Sequence, residues 1–333
     1  MILLTGVAGF IGMHVARRLL GEGQGVLGID NMGSCADPLL RERRLASLRD
    51  VPGFRFQRVD LADAATVHAL FRHERIDDVI HLAAQTGVRQ SAERPESCVA
   101  SNLVGFVNLL EACRQHEVRH LLYASSSSVY GANRALPFSE HLGADHPLSL
   151  YAATKRSDEL LAHSYSHLYG LPTTGLRLFT VYGPWGRPDM APMLFAHAIR
   201  QGHPIDLFND GNMVRDFTYV DDVVEAVLRL VRMPAQPHAG FDPLRPDPAV
   251  SHAPYRIYNV GNRQPVALNA FVEALEAAFG KQAKRRMRPM HGADMQATCA
   301  DTAELERATG WAPSTPLATG IGHFVRWYES YHA

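Results

Sequence analysis

The stretch MILLTGVAGFIG, residues 1–12, decides the fold. An apolar run opens it, then Gly6, Gly9 and Gly12 follow as G-x-x-G-x-x-G. Residues 1–5 read as a short buried strand, and a helix runs from Gly12 to about Leu20 with Arg17 and Arg18 on its polar side. Glycines at such a strand-to-helix junction permit a tight turn. They also let the backbone approach a pyrophosphate closely, with the unpaired N–H groups of the helix start aimed at it. A second apolar run, 25–30, ends in Asp30. A carboxylate there accepts hydrogen bonds from the ribose hydroxyls of an adenosine and repels a 2′-phosphate, which favours NAD over NADP. Asn31 can assist, and Asp60-Leu61, after the next strand, can reach the adenine edge.

Outward from this turn the pattern repeats. Further strands are read at 56–60, 78–84, 121–125 and 173–179, with helices at 64–73, 100–115 and 153–168 between them. Strands alternating with helices predict right-handed parallel crossovers and a Rossmann-type, doubly wound α/β sheet. Beyond Gly183 the alternation fails. A helix is read at 192–201, a short strand at 205–208 and a helix from Asp221 that ends before Pro234. Six prolines make 234–254 a surface loop. A strand at 257–260 and helices at 267–279 and 318–331 complete the chain. The expected division is an NAD-binding domain at 1–182, with segments near 215–232 and 257–262 returning to it. A smaller, mainly substrate-binding domain covers 183–333.

Composition excludes several classes. The 333 residues carry 33 Lys+Arg against 34 Asp+Glu, so the net charge of -1 gives no basic surface for nucleic acid or an anionic membrane. No charge-free run is long enough to span a bilayer, and the apolar start lacks the basic flank of a leader. Cys35, Cys98, Cys113 and Cys299 form no CxxC pair or zinc-like cluster, which fits a reducing cytoplasm. The 17 histidines form no cluster with acids, and no metal is expected.

Tyr151 and Lys155 stand four residues apart, so they share one face of the 153–168 helix region. An ammonium one turn away favours a phenolate, which makes Tyr151 a candidate base. Lys155 can also hold the nicotinamide ribose. Four serines, 125–128, follow the fifth strand, and Ser126 is favoured as the hydroxyl that bridges Tyr151 and the reacting oxygen.

With these residues in place the chain resembles the extended short-chain dehydrogenase/reductase family, and within it the UDP-glucuronate 4-epimerases. The resemblance covers essentially the whole chain. It is carried by GVAGFIG (6–12), GIDN (28–31), HLAAQTGVRQS (81–91), SNLVGFVNLLEACR (101–114), YASSSSVYG (123–131), YAATK (151–155), LRLFTVYGPWGRPDMAP (176–192), PIDLFNDG (204–211), RDFTYVDDVVE (215–225) and YNVGN (258–262). It implies that Tyr151 is the base, Lys155 its electrostatic partner and Ser126 the relay. It implies NAD contacts at Phe10, Ile11, Leu82, Ala83, Ala84 and Tyr182, besides the residues above. Ser127, Ser128 and Thr180 match positions that contact a sugar carboxylate. Arg89, Phe179, Arg187, Arg215 and Asp294 match the UDP-sugar cleft, Arg215 at the diphosphate. A homodimer is also implied, and the apolar faces of 100–115 and 153–168 are candidates for its interface or for core. Two positions depart from the pattern: His291 stands where an arginine is common, which shifts the nucleotide grip toward Arg215 with Arg288, and Cys35 replaces an aromatic.

The expected chemistry is reversible inversion at C4 of UDP-glucuronic acid, giving UDP-galacturonic acid through a 4-keto sugar. A UDP-glucose/UDP-galactose epimerase needs the same Tyr–Lys–Ser set and is the nearest alternative. A dehydratase needs a carboxylate in the serine loop, and a UDP-glucuronate decarboxylase often has a Glu where Ser128 stands. A non-catalytic NAD-binding regulator has no need of Tyr151, Lys155 and Ser126.

Overall fold

Residues 2–5, 26–29 and 78–81 are buried along their whole length, as strands covered on both faces must be. The computed structural model describes residues 1–33, 36–290, 292 and 294–333. Positions 35 and 291 and the side chain of Arg89, singled out above, lie outside what it describes. The first stretch runs β1 (Ile2–Thr5), α1 (Phe10–Gly21), β2 (Val26–Asp30), α2 (Pro38–Arg49), β3 (Phe54–Arg58), α3 (Ala64–His73) and β4 (Asp78–His81). Then come α4 (Val88–Glu93), α5 (Pro95–Val99), α6 (Gly105–Gln115), β5 (His120–Ser126), α7 (Leu150–Tyr169) and β6 (Thr173–Leu178). The remainder holds β7 (Thr180–Tyr182), α8 (Ala191–Gln201), β8 (Pro204–Phe208), β9 (Val214–Tyr219), α9 (Val220–Val231), β10 (Tyr255–Val260) and β11 (Pro265–Ala267). It closes with α10 (Leu268–Phe279), β12 (Lys284–Arg288), α11 (Ala303–Thr309) and α12 (Leu317–Tyr331).

Seven parallel strands form the main sheet in the order β3-β2-β1-β4-β5-β6-β10. The strand order reverses between β1 and β4. In such sheets a ligand crevice opens at that point, beyond the carboxyl ends of the strands. Thr5, His81 and Ser126 stand at those ends. The fold is therefore the expected doubly wound α/β sheet. One core packs α1 and α9 against one face, and a second packs α3 and α6 against the other.

The smaller part is built on a three-stranded sheet, β11-β9-β7, and a parallel pair, β12-β8. Phe217 and Phe271 stack at 4.1 Å in its core. Burying each ring stabilises by roughly 1.5–3 kcal/mol. Segment 180–182, expected in the first domain, pairs with β9 of this small sheet. Residues 215–219 also lie here, whereas α9 packs on α1 and β10 is the edge strand of the main sheet.

Two of the elements read above differ in their bounds or geometry. The fourth strand stops at His81 because the next residues bend over the glycine turn: Leu82 N donates to the Thr5 carbonyl (3.3 Å) and Ala83 N to Thr5 Oγ1 (3.1 Å). The 100–115 helix opens with a π turn, Ala100–Val104, before α6 begins. Asn102 lies buried in that turn, bonded to the Gln85 backbone and to Thr154 Oγ1. π turns of this kind recur at functional sites.

Candidate active site

Helix α7 carries the two residues of the Y-x-x-x-K motif. Ser149 caps it, its Oγ accepting from Ala152 N at 3.1 Å, so Tyr151 falls in the first turn and Lys155 one turn later. Tyr151 N donates to Ser91 Oγ (3.2 Å), and Thr154 Oγ1 donates to the Tyr151 carbonyl (2.8 Å). Lys155 is 1% exposed, and its Nζ donates to Asp158 Oδ2 at 3.1 Å. Burial opposes the ammonium, but Asp158 and then Tyr151 outweigh it and hold Lys155 above the usual lysine range. Lys155 is therefore charged throughout the neutral range.

One position further, Glu159 ties α7 to the sheet. It accepts from Arg177 Nε and Nη2 (both 2.9 Å), Ser125 Oγ (2.6 Å) and Arg156 Nη1 (2.9 Å). The serine run thus divides by role. Ser125 serves this network. Ser126 accepts from Ser128 N at 3.2 Å and caps the 3₁₀ turn Ser127–Tyr130, which leaves its own O–H as a donor. Ser126 and Ser127 are nearly buried and Ser128 half-buried at the carboxyl end of β5.

The glycine turn is sterically closed to side chains. Gly6 has φ +71°, and a Cβ there would lie 2.7 Å from Ala83 N. At Gly12 it would lie 2.2 Å from the Gly6 carbonyl oxygen, and at Gly9 2.9 Å from the same atom. Gly9 starts α1 without a side-chain cap. Asp30 is braced against this turn, accepting from Ala8 N (3.2 Å) and Met32 N (2.9 Å). Asn31 Nδ2 donates to Asp60 Oδ2 (3.2 Å), so all three polar groups gather at the ends of β2 and β3. Ile11, Leu82, Ala83 and Ala84 are half-buried around the turn, and Phe10 and Leu61 nearly buried.

The Tyr182 ring is 1% exposed, packed among Phe217, Tyr219 and Phe271, with its hydroxyl toward the Leu317 carbonyl (3.5 Å), so this side chain is part of the small sheet's core. Phe179, 5% exposed, packs beside Tyr130. Thr180 is half-buried on β7. Arg187 holds Asp189 (Nη2–Oδ2 2.6 Å) and donates to the Thr86 carbonyl (3.3 Å), joining the 183–190 loop to the loop after β4. Arg215 Nη1 donates to the carbonyls of Val214 (2.9 Å) and Gln296 (3.2 Å). Burial lowers the Arg215 pKa, and the Asp294 carboxylate opposes that shift. Arg288 is instead engaged with Asp206 on the outer pair of strands (3.2 Å).

Residues 2–261 match the model of the NAD dependent epimerase/dehydratase family. The chain belongs to this family. Protein CapI of Staphylococcus aureus is 50% identical over 331 residues, 99% of each chain. A probable UDP-glucuronate 4-epimerase of Rhizobium meliloti (strain 1021) is 48% identical over 328 residues, 98% of this chain and 96% of the relative. A solved UDP-glucuronic acid 4-epimerase from Bacillus cereus, in complex with UDP-glucuronic acid and NAD, superposes with a TM-score of 0.88 at 30% identity, covering 99% of each chain.

As a member of the NAD dependent epimerase/dehydratase family the protein uses NAD, and its residues fit that group. The turn at Gly6, Gly9 and Gly12 admits no Cβ, so only backbone meets a pyrophosphate there. Among the described residues no group of three or more His, Cys, Asp or Glu could hold a metal ion, and no helix is long and apolar enough to cross a membrane. Sequence reasoning missed the residues behind the site: Ser91, Asn102, Asp158, Glu159 and Asp216. Asp216 is fully buried and accepts from the backbone of Asn262 (2.6 Å), Arg263 (3.1 Å) and Ala300 (2.9 Å), which ties two separate segments to β9 next to Arg215.

Proposed function

We propose that this protein is a UDP-glucuronate 4-epimerase, interconverting UDP-glucuronic and UDP-galacturonic acid. The observation that carries the reading is the close likeness, over whole chains, to proteins named for this activity, joined to a site holding Tyr151, Lys155 and a serine loop without a carboxylate. Residues 1–179, with 220–232 and 257–262, are proposed as the cofactor half, and most of the remainder as the nucleotide-sugar half.

Bound NAD supplies the capacity to take a hydride from a carbinol carbon and return it. Gly6, Gly9 and Gly12, with Phe10 and Ile11 behind them, would hold its pyrophosphate. Asp30 and Asn31 would hold its ribose, Asp60 and Leu61 the adenine edge, and Leu82, Ala83 and Ala84 the crossing of the sheet. Tyr151 takes the proton from O4 as C4 is oxidised and gives it back once the sugar has turned its other face. Lys155 keeps the phenolate accessible, and Ser126 donates to the reacting oxygen. Ser127, Ser128 and Thr180 grip the sugar carboxylate. That grip matters because a 4-keto uronic acid loses CO₂ easily when its C5–carboxyl bond overlaps the carbonyl π system. Hydroxyl donors can hold the bond near the ketone plane. Arg89, Phe179 and Arg187 would line the sugar pocket, and Arg215 and Asp294 the nucleotide.

A substrate panel tests this. UDP-glucuronate, UDP-galacturonate, UDP-glucose and UDP-xylose are each incubated with the enzyme, and products are identified by NMR with a trap for CO₂. The first two should interconvert without CO₂ release. UDP-xylose from UDP-glucuronate, or preference for UDP-glucose, would overturn the assignment.

We also propose a homodimer in a reducing cytoplasm. Cys98, Cys113 and Cys299 are free thiols. Leu160 and Leu168 of α7 are 55% and 66% exposed, and Val104 of the π turn and Val107 of α6, on elements that pack against α7, are exposed as well. Light scattering should give twice the chain mass, and Leu160→Glu should halve it. A monomeric parent protein would end this part of the reading.

A further inference from the structure

We propose that Asp158 is a positioning residue that sets the effective charge of Lys155, and so the pH at which Tyr151 can act as base. The proposal rests on the roles of Tyr151 and Lys155 given above. Lys155 Nζ and Asp158 Oδ2 are 3.1 Å apart with side chains 1% and 0% exposed. The other Asp158 oxygen is buried and has no hydrogen-bond partner. The carboxylate is therefore committed to the lysine rather than to a structural network.

Other groups around Lys155 cannot supply that charge. Glu159 is next along α7, but Arg177 binds it at both oxygens and Arg156 adds a third bond. From α5, Cys98 is pushed up by burial and stays a thiol. From β5, burial pushes Tyr123 well above the usual phenol range, so it stays neutral. From β4, His81 is held well below the usual imidazole range by burial and then by Lys155, so it too is neutral. Among the described residues Asp158 is left as the carboxylate that balances Lys155. Burial pushes Asp158 up to about 6 and Lys155 opposes that rise, so the pair is still charge-separated at neutral pH.

The consequence follows from the field of the pair. A lone ammonium favours the phenolate strongly, whereas an ammonium in contact with a carboxylate is a dipole whose effect falls faster with distance. Asp158 thus moderates the pull on Tyr151. A base that must take the O4 proton during oxidation gains from that moderation, because the phenolate of a phenol made too acidic is a poor acceptor.

Asp158→Asn keeps the shape and an acceptor for Nζ while removing the charge. The acid limb of kcat/KM against pH should move to lower pH by roughly 1 unit. The ultraviolet titration of the phenolate, taken as the difference from the same protein carrying Tyr151→Phe, should move the same way in the cofactor-loaded enzyme. Asp158→Glu, which keeps the charge, should leave both near those of the unsubstituted enzyme. Asp158→Ser carries the same expectation if the Asn variant is insoluble. An unmoved limb and unmoved titration in the uncharged variants would overturn the proposal, as would an equal loss of activity at every pH. If the unsubstituted enzyme turned over none of the UDP-sugars, the proposed function would fall, while the titration would still judge Asp158.

Discussion

Tyr151→Phe is expected to lower kcat by about 10³- to 10⁴-fold while leaving the melting temperature and the NAD content unchanged. The substitution removes one oxygen. The backbone bonds that seat the residue, from its amide to Ser91 and to its carbonyl from Thr154, do not involve the hydroxyl. In the proposed reaction the same atom serves both half-reactions, so its loss should tell on removal of the O4 proton and on its return. The expected cost is roughly 4–5 kcal/mol in the barrier. KM should change far less than kcat, because the glycine turn proposed for the pyrophosphate and the residues Arg215 and Asp294 proposed for the nucleotide lie on other elements. Initial-rate kinetics with UDP-glucuronate, alongside thermal unfolding and cofactor extraction, would measure this. Turnover within tenfold of the unsubstituted enzyme would mean that another group handles the proton.

What the chain discloses before folding is whatever rests on local geometry. G-x-x-G-x-x-G at a strand-to-helix junction and Y-x-x-x-K on a helix depend on spacings of three and four residues, and both are legible without tertiary information. The 64–73 helix is read at its observed bounds because Asp63 caps it and its apolar positions keep helical period. Legibility fails where packing overrides pattern. Strand β9 places Arg215 beside a buried Asp216, and no alternation rule expects a carboxylate inside a strand. Its cost is met by amides from residues distant in sequence. Strand β12 reads KRRMR and is exposed throughout, so its charges look like a solvated loop until it pairs with β8. Helix α2 is masked by RERR, although Asp37 and Pro38 mark its start. Tyr182 is another case: its motif says nothing of the aromatic packing that makes its ring part of the core. Asp158 is illegible for a related reason: a Lys–Asp pair at i,i+3 is ordinarily a solvated surface pair, and burial alone gives it consequence.

The largest effect on stability is expected at Glu159, the residue that holds α7 in place. Arg177 is 0% exposed, and its bonds to Glu159 compensate a charge that water cannot reach. Its guanidinium also lies over the Tyr130 ring at 4.8 Å, a contact too weak to carry the charge alone. Glu159→Ala leaves that cation buried, deprives Ser125 of its acceptor and leaves Arg156 with Asp145 alone. Breaking a buried pair from one side costs about 3–5 kcal/mol, which in a chain of this size lowers the melting temperature by roughly 4–7 °C. Removing both partners, as in Glu159→Leu with Arg177→Met, should cost less than Glu159→Ala alone, because no orphaned charge remains. The pH dependence has a definite sign. Burial opposes the Glu159 carboxylate, but Arg177, with Ser125 and Arg156, outweighs it and holds the group below the usual range. Its contribution is therefore complete above the ordinary glutamate range and is lost as pH falls through the depressed folded value. The unsubstituted protein should lose stability in that acid window more steeply than Glu159→Gln does. Because α7 also carries Tyr151 and Lys155, Glu159→Ala should lower kcat even where the protein stays folded, through looser placement of the dyad. A melting temperature within about 2 °C of the parent, or a double variant less stable than Glu159→Ala, would show that the pair does not anchor the helix.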